Sequence, residues 1–303
     1  MSIPHVLRLT SLAVFVASAA AAASDASHVR IVSADELARE LPRVSVLDAR
    51  GEKAFHAAHV PDSVPVDWRD WTLEKPGFLS LVAGHADRWG KVPPADEALA
   101  RRLGALGLSN GKPIVVVGDP HGWGEEGRIA WNFLFWGAED VALLDGGFPA
   151  WAAAHPVESG PPRATPPGAF TVRLRPERRI DADALERSRE KRALLDARTV
   201  EEWNGKRMKG QKRGGHIPGA RLVPYLSLYR KDGTYVDASE LRKLTGVDSG
   251  TPPPAAYCVG GVRSGLLALL LEARLGILTP NYDGSIWEWA ARKDLPLTTA
   301  PAR

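Results

Sequence analysis

Cysteine is nearly missing from this chain: Cys258 is the only one in 303 residues. One thiol cannot close an internal disulfide, so it is either buried and inert or kept for chemistry. An excess of one charge sign is missing too. The formal net charge is +3, and no basic run is interleaved with aromatics, so nothing argues for a nucleic-acid partner. Long apolar runs do not occur after residue 23, so no later segment has the roughly 20 apolar residues that a bilayer span requires. What remains is ordinary globular composition, 44% hydrophobic and 25% charged. The length allows two domains, each with its own core.

Residues 1–23 stand apart. Arg8 is their only charged side chain, and Leu9 to Ala23 is an apolar, alanine-rich run ending in Ala19-Ala20-Ala21-Ala22-Ala23. This pattern predicts a secretory signal peptide cleaved after Ala23. An uncleaved anchor is the alternative, but the run is short for a span. The expected location is periplasmic or secreted, with no membrane association once the signal is removed.

The remaining chain reads as one α/β unit written twice. Ser33-Ala34-Asp35-Glu36 is a capping box that opens a helix. Val44 to Arg50, Ile114–Val117 and Val141–Leu144 are strand runs. Residues 96–107 and Gly127 to Trp136 read as helices. The order then recurs. Leu194-Leu195-Asp196-Ala197-Arg198 repeats Leu47-Asp48-Ala49-Arg50, and Gly215-His216-Ile217-Pro218 repeats His59-Val60-Pro61. Asp283 to Trp289 repeats Asp145 to Trp151 at a near-constant offset. A proline-rich linker at 156–170 separates a first domain, 28–155, from a second, 171–299. Apolar strands alternating with helices predict two parallel sheets, each flanked by helices, with ligands at the carboxyl ends of the strands.

Cys258 lies at that end. Ala255-Ala256-Tyr257 can close a strand, and Leu266 to Leu275 is a strong helix that Gly276 can terminate. A thiol ahead of a helix N-terminus faces unpaired N–H groups and a positive dipole end, which favour the thiolate. Gly260 and Gly261 let the loop curl so that its amides form an anion nest. Arg263 adds a permanent charge. No residue pattern calls for a metal or another cofactor.

Four residues separate Cys258 from Arg263, one fewer than in the Cys-x5-Arg loop of cysteine phosphatases. This short loop resembles that of the rhodanese (thiosulfate sulfurtransferase) family. Asp196-Ala197-Arg198, Gly215 to Ala220, the Cys258 loop and Tyr282 to Trp287, in that order, resemble tandem-domain rhodaneses over nearly the whole mature chain. The resemblance implies a silent first domain and a second domain that carries sulfur as a Cys258 persulfide. The main-chain amides of Val259, Gly260, Gly261, Val262, Arg263 and Ser264 would hold it. The partners implied are a small anionic donor such as thiosulfate and a cyanide or thiol acceptor, including a thiol on a protein. Asp196 and Arg198 are expected as a structural ion pair, His216 as a loop-binding histidine or a general base, and Trp287 as a core or pocket aromatic. Aligning Ile114–Val117 with Ala255–Tyr257 puts Asp119 in the seat of Cys258 and makes Arg128 the counterpart of Arg263.

Several positions depart from the family. Val259 and Gly260 stand where thiosulfate-preferring members carry basic residues. Glu202 stands where donor-binding members carry an arginine. Arg263 is then the candidate anion contact, and Lys206, Arg207, Lys209, Lys212 and Arg213 are candidates for steering anions to the mouth. A persulfide carrier serving a dedicated partner, a 3-mercaptopyruvate sulfurtransferase and a phosphatase-like relative remain as alternatives.

Overall fold

Ile114-Val115-Val116-Val117 is apolar at every position and buried at every position, as a strand covered on both faces must be. It is the middle strand, β4, of the first sheet in this computed structural model, which describes residues 29–299. The predicted signal peptide lies outside those residues. The first domain runs β1 (Val29–Val32), α1 (Ala34–Glu40), β2 (Ser45–Asp48), α2 (Glu52–Ala57), β3 (Val64–Pro65), α3 (Phe78–Val82), α4 (Glu97–Ala105), β4, α5 (Glu125–Phe135), β5 (Val141–Leu144) and α6 (Gly147–Ala154). Its strands are all parallel, in the order β1-β5-β4-β2-β3. The Ser33 capping box forms as read, with Glu36 accepting the Ser33 N–H at 2.7 Å. Asp96 caps α4 rather than starting it. α5 begins two residues before the expected Gly127, directly after left-handed Gly124.

The second domain repeats the order with α7 (Ala182–Ser188), β6 (Ala193–Asp196), α8 (Val200–Trp203), β7 (Arg221–Leu222), α9 (Ala238–Thr245), β8 (Pro254–Tyr257), α10 (Val262–Leu275) and α11 (Ser285–Ala291). Its regular sheet is β7-β6-β8, again parallel. Bridges from Ala256 to Asn281 and from Asn281 to Arg179 continue it to five positions in the order of the first domain. The linker residues 156–170 form no helix or strand. They return along the first domain, where the Gly168 N–H bonds the Gly104 carbonyl at 2.8 Å.

α5 and α10 join the domains. Residues 262–272 of α10 are all buried, which fits a helix that is apolar nearly all round. The backbones approach closely where Gly127 lies against Leu266 and Gly265 against Arg128. One apolar cluster, including Leu103 and Phe133 of the first domain and Leu266 and Leu270 of the second, crosses the boundary. The loops at the carboxyl end of β8 are therefore held by both domains.

Candidate active site

Cys258 follows β8 directly, and its side chain is buried. The loop after it is held by its carbonyls. The Cys258 carbonyl accepts from the Ile286 N–H at 3.3 Å and the Val259 carbonyl from the Trp287 N–H at 3.0 Å. The Gly260 carbonyl accepts from Arg128 Nη1 at 3.3 Å and the Gly261 carbonyl from Asn281 Nδ2 at 2.9 Å. Four consecutive carbonyls are drawn outward, so amides are free to turn inward. Those of Gly260 and Ser264 favour the anionic sulfur. The ring of amides expected from Val259 to Arg263 is thus narrower than read, because Ser285 takes the Gly261 N–H.

Ser285 is the keystone of this arrangement. Its Oγ accepts from the N–H groups of Cys258 at 3.0 Å and Gly261 at 3.2 Å, and it donates to the Tyr282 carbonyl at 2.6 Å. To do so its backbone adopts φ of 48°, a left-handed conformation that costs a residue with a Cβ about 1–2 kcal/mol. The first domain has Gly147 at this place, with φ of 58°. Glycine is also required in the loop itself: Gly261 has φ of 74°, and a Cβ on Gly260 would strike the Trp287 ring.

The electrostatics favour an anionic sulfur. Burial alone pushes the Cys258 thiol up. The Arg263 charge, the Ser264 hydroxyl and amide and the Gly260 amide outweigh it and leave the thiol below its ordinary range. Ser264 has one hydroxyl hydrogen for two acceptors, the sulfur and Asn281 Oδ1 at 2.7 Å.

Arg263 itself does not face a donor. Its two terminal nitrogens bind the two Glu202 oxygens at 2.6 and 2.9 Å, with both side chains buried. The expected anion contact and the carboxylate of the wrong sign are partners of one another. Burial pushes Glu202 up, but Arg263 holds it below its usual range.

The remaining candidates are structural. Arg198 makes a two-nitrogen pair with Asp196, at 2.9 Å from Nε to Oδ1 and 2.7 Å from Nη2 to Oδ2, and reaches the Gly215 carbonyl at 3.0 Å. Arg50 and Asp48 repeat the motif in the first domain. His216 stacks on Trp203 at 3.5 Å and bonds the Trp203 carbonyl through Nδ1 at 3.1 Å; burial lowers its pKa. This is the geometry of a loop-binding histidine. Trp287 covers the Cys258 loop, bonds the Lys209 carbonyl at 2.9 Å and meets Trp89 of the first domain edge-on at 5.1 Å. Lys206, Arg207, Lys209 and Lys212 are exposed. Arg213 leaves the proposed steering cluster, because its guanidinium binds four carbonyls around the end of α11.

The seat of Cys258 in the first domain is Gly118, not Asp119. Asp48 pairs in register with Val117, as Asp196 does with Tyr257, so the next residues, Gly118 and Cys258, correspond. The Glu126 carboxylate fills the space where a side chain on residue 118 would project. Arg128 is not the counterpart of Arg263 either. The close contacts of Gly127 and Gly265 align Glu125 with Arg263 and Glu126 with Ser264. The first loop is longer than the second, so the two arginines do not correspond. The sequence alone assigns Arg128 to the first domain's own loop and gives Ser285 and Asn281 no separate role; Ser285 stands out there only as a serine where the repeat has Gly147.

A model of the rhodanese-like domain matches residues 33–154 and again 181–292. The sulfur carrier protein TtuD of Thermus thermophilus is 31% identical over 294 residues, covering 88% of this chain and 95% of that protein. The mitochondrial thiosulfate/3-mercaptopyruvate sulfurtransferase 1 of Arabidopsis thaliana is 30% identical over 309 residues, covering 88% of this chain and 77% of its own length. Among solved structures, the 3-mercaptopyruvate sulfotransferase SseA of Escherichia coli superimposes with a TM-score of 0.69 at 23% identity, over 85% of this chain and 98% of that one.

Proposed function

This chain belongs to the rhodanese family, with two copies of its domain, and from that premise we propose that it is a sulfurtransferase whose Cys258 carries the sulfur. One observation supports this best: the only thiol in the chain sits in a loop whose carbonyls are bonded outward and whose Gly260 and Ser264 amides favour the anionic sulfur. That arrangement stabilises a negative charge on sulfur before and after transfer, as an oxyanion hole does on oxygen. The Cys258 thiolate attacks the outer sulfur of thiosulfate, the S–S bond to the sulfonate breaks, and sulfite leaves with that electron pair. Cyanide or a thiolate then takes the terminal sulfur and returns the thiolate. With no second cysteine to resolve the persulfide, the acceptor comes from outside the chain. The experiment is mass spectrometry of the purified protein after incubation with sulfur donors. A gain of one sulfur atom, absent in Cys258→Ser, is expected; no gain from any donor refutes the reading.

The Glu202–Arg263 pair favours donors other than thiosulfate and 3-mercaptopyruvate, because the cation nearest the loop is neutralised. Carriage of a persulfide for a dedicated protein partner is the second reading, and slow cyanide turnover beside a long-lived persulfide would distinguish it. The protein works outside the cytoplasm after removal of residues 1–23, on the evidence of Leu9 to Ala23. N-terminal sequencing of the exported protein checks this: a first residue of Ser24 is expected, and an intact Met1 in the cell interior overturns it.

A further inference from the structure

The first domain carries no thiol, yet one of its side chains enters the site. Arg128, in the first turn of α5, is fully buried. Nη1 bonds the Gly260 carbonyl at 3.3 Å, and Nη2 bonds the Gly90 carbonyl. Its Nε has no partner among the described residues. The partners are carbonyls and not carboxylates, unlike those of Arg263 and Arg198, each of which is neutralised by a bidentate acid. Asp283 is the acid facing it, and that carboxylate is already engaged by Arg179 at 2.9 Å and by the Val92 N–H at 2.8 Å. The other charges acting on Arg128 are Cys258 and, with the same sign as Arg128, Arg179.

The geometry explains what the arginine does. The Gly260–Gly261 peptide is pinned at both ends, its oxygen by Arg128 and its N–H by Ser285 Oγ. A side chain on Gly261 would strike the Arg128 guanidinium, so the loop and the arginine are fitted to one another. Without the Arg128 contact, the Gly260 carbonyl would be buried and unpaired, and the Gly260–Gly261 peptide would be held only through its N–H, by Ser285.

We infer that Arg128 of the thiol-free domain is a positioning residue of the sulfur site: it fixes the Gly260–Gly261 peptide and sets a positive charge with no carboxylate bonded to it beside the Cys258 thiolate. The inference rests on Cys258 being the sulfur-carrying residue. It gives the first domain an electrostatic part in the chemistry besides its packing. A buried guanidinium bonded to no carboxylate costs stability, and an anionic sulfur nearby offsets part of that cost.

The test reads the thiolate directly. Ultraviolet absorbance of the Cys258 thiolate is followed against pH as a difference from Cys258→Ser, in the wild-type chain and in Arg128→Met, Arg128→Gln and Arg128→Lys. Arg128→Met and Arg128→Gln should each move the midpoint up by about one unit, a tenfold change in the thiol–thiolate ratio, while Arg128→Lys restores most of the shift. Should Arg128→Met fail to fold, Arg128→Gln still removes the charge while keeping a donor for Gly260. Neutral variants that titrate with the wild type would overturn the inference and leave Arg128 a packing residue. Sulfur loading, followed separately by mass, keeps the two questions apart. A wild-type chain that never gains sulfur would sink the transfer reading even if the thiolate midpoint moved as expected.

Discussion

Arg263 and Glu202 face one another in a buried pair, at 2.6 Å from Nη1 to Oε2 and 2.9 Å from Nη2 to Oε1. The pair joins the start of α10, one turn beyond the cysteine, to the end of the short helix α8. Capping of α8 by Thr199 bonds the same carboxylate to the Thr199 N–H at 2.9 Å. Arg263 still depresses the Cys258 thiol through space, but its terminal nitrogens are committed.

Glu202→Gln should therefore free the guanidinium. Removing one member of a buried pair costs about 3 kcal/mol, so the melting temperature should fall. The same change should raise kcat/KM for thiosulfate several-fold, and that gain should shrink as salt is added. An unchanged thiosulfate constant in the destabilised variant would show that Arg263 takes no part in donor binding.

Ser285→Gly separates the anchor from the fold. Glycine relieves the strained backbone at φ of 48° but removes the oxygen that holds the Cys258 and Gly261 amides. These effects oppose each other in stability, so the unfolding free energy should change by less than about 1 kcal/mol. Sulfur loading should slow by at least roughly tenfold, the equivalent of one charge-assisted hydrogen bond. Equal loading rates would show that the loop holds itself without the serine.

His216→Gln should leave the pH dependence of sulfur loading in place. The ring is stacked on Trp203 and bonded to a carbonyl, and burial lowers its pKa, which disfavours its protonated form. Loss of the stack should cost about 1 kcal/mol. A new limb in the pH–rate profile would restore the histidine as a base.

Glu126 makes a pH prediction for the first domain. Burial raises its pKa to about 7, against the hydrogen bonds from Tyr229 at 2.7 Å and Tyr235 at 3.0 Å. The folded chain thus holds this proton more tightly than the unfolded chain. Below its ordinary value of 4.5 both states are protonated and nothing changes. From there to about 7 the unfolded state releases its proton first, so stability falls as pH rises, and it levels off above. The loss is on the order of 3 kcal/mol at most. Urea unfolding at acid and alkaline pH should show it in the wild type and not in Glu126→Gln; parallel curves would place the carboxylate in contact with water.

Local residue chemistry was enough to reach the α/β class, the tandem repeat, the Ser33 cap and the position of Cys258 between strand and helix. These follow from short-range periodicity and turn geometry, which a chain displays in its order. The partners of Arg263 and Arg128 do not. Both are arginines near a helix start, and nothing local distinguishes one that is paired with an acid from one that enters a neighbouring domain. That was decided when α5 and α10 packed at Gly127 and Gly265, since charge placement across a packed interface depends on contacts between residues far apart in the chain.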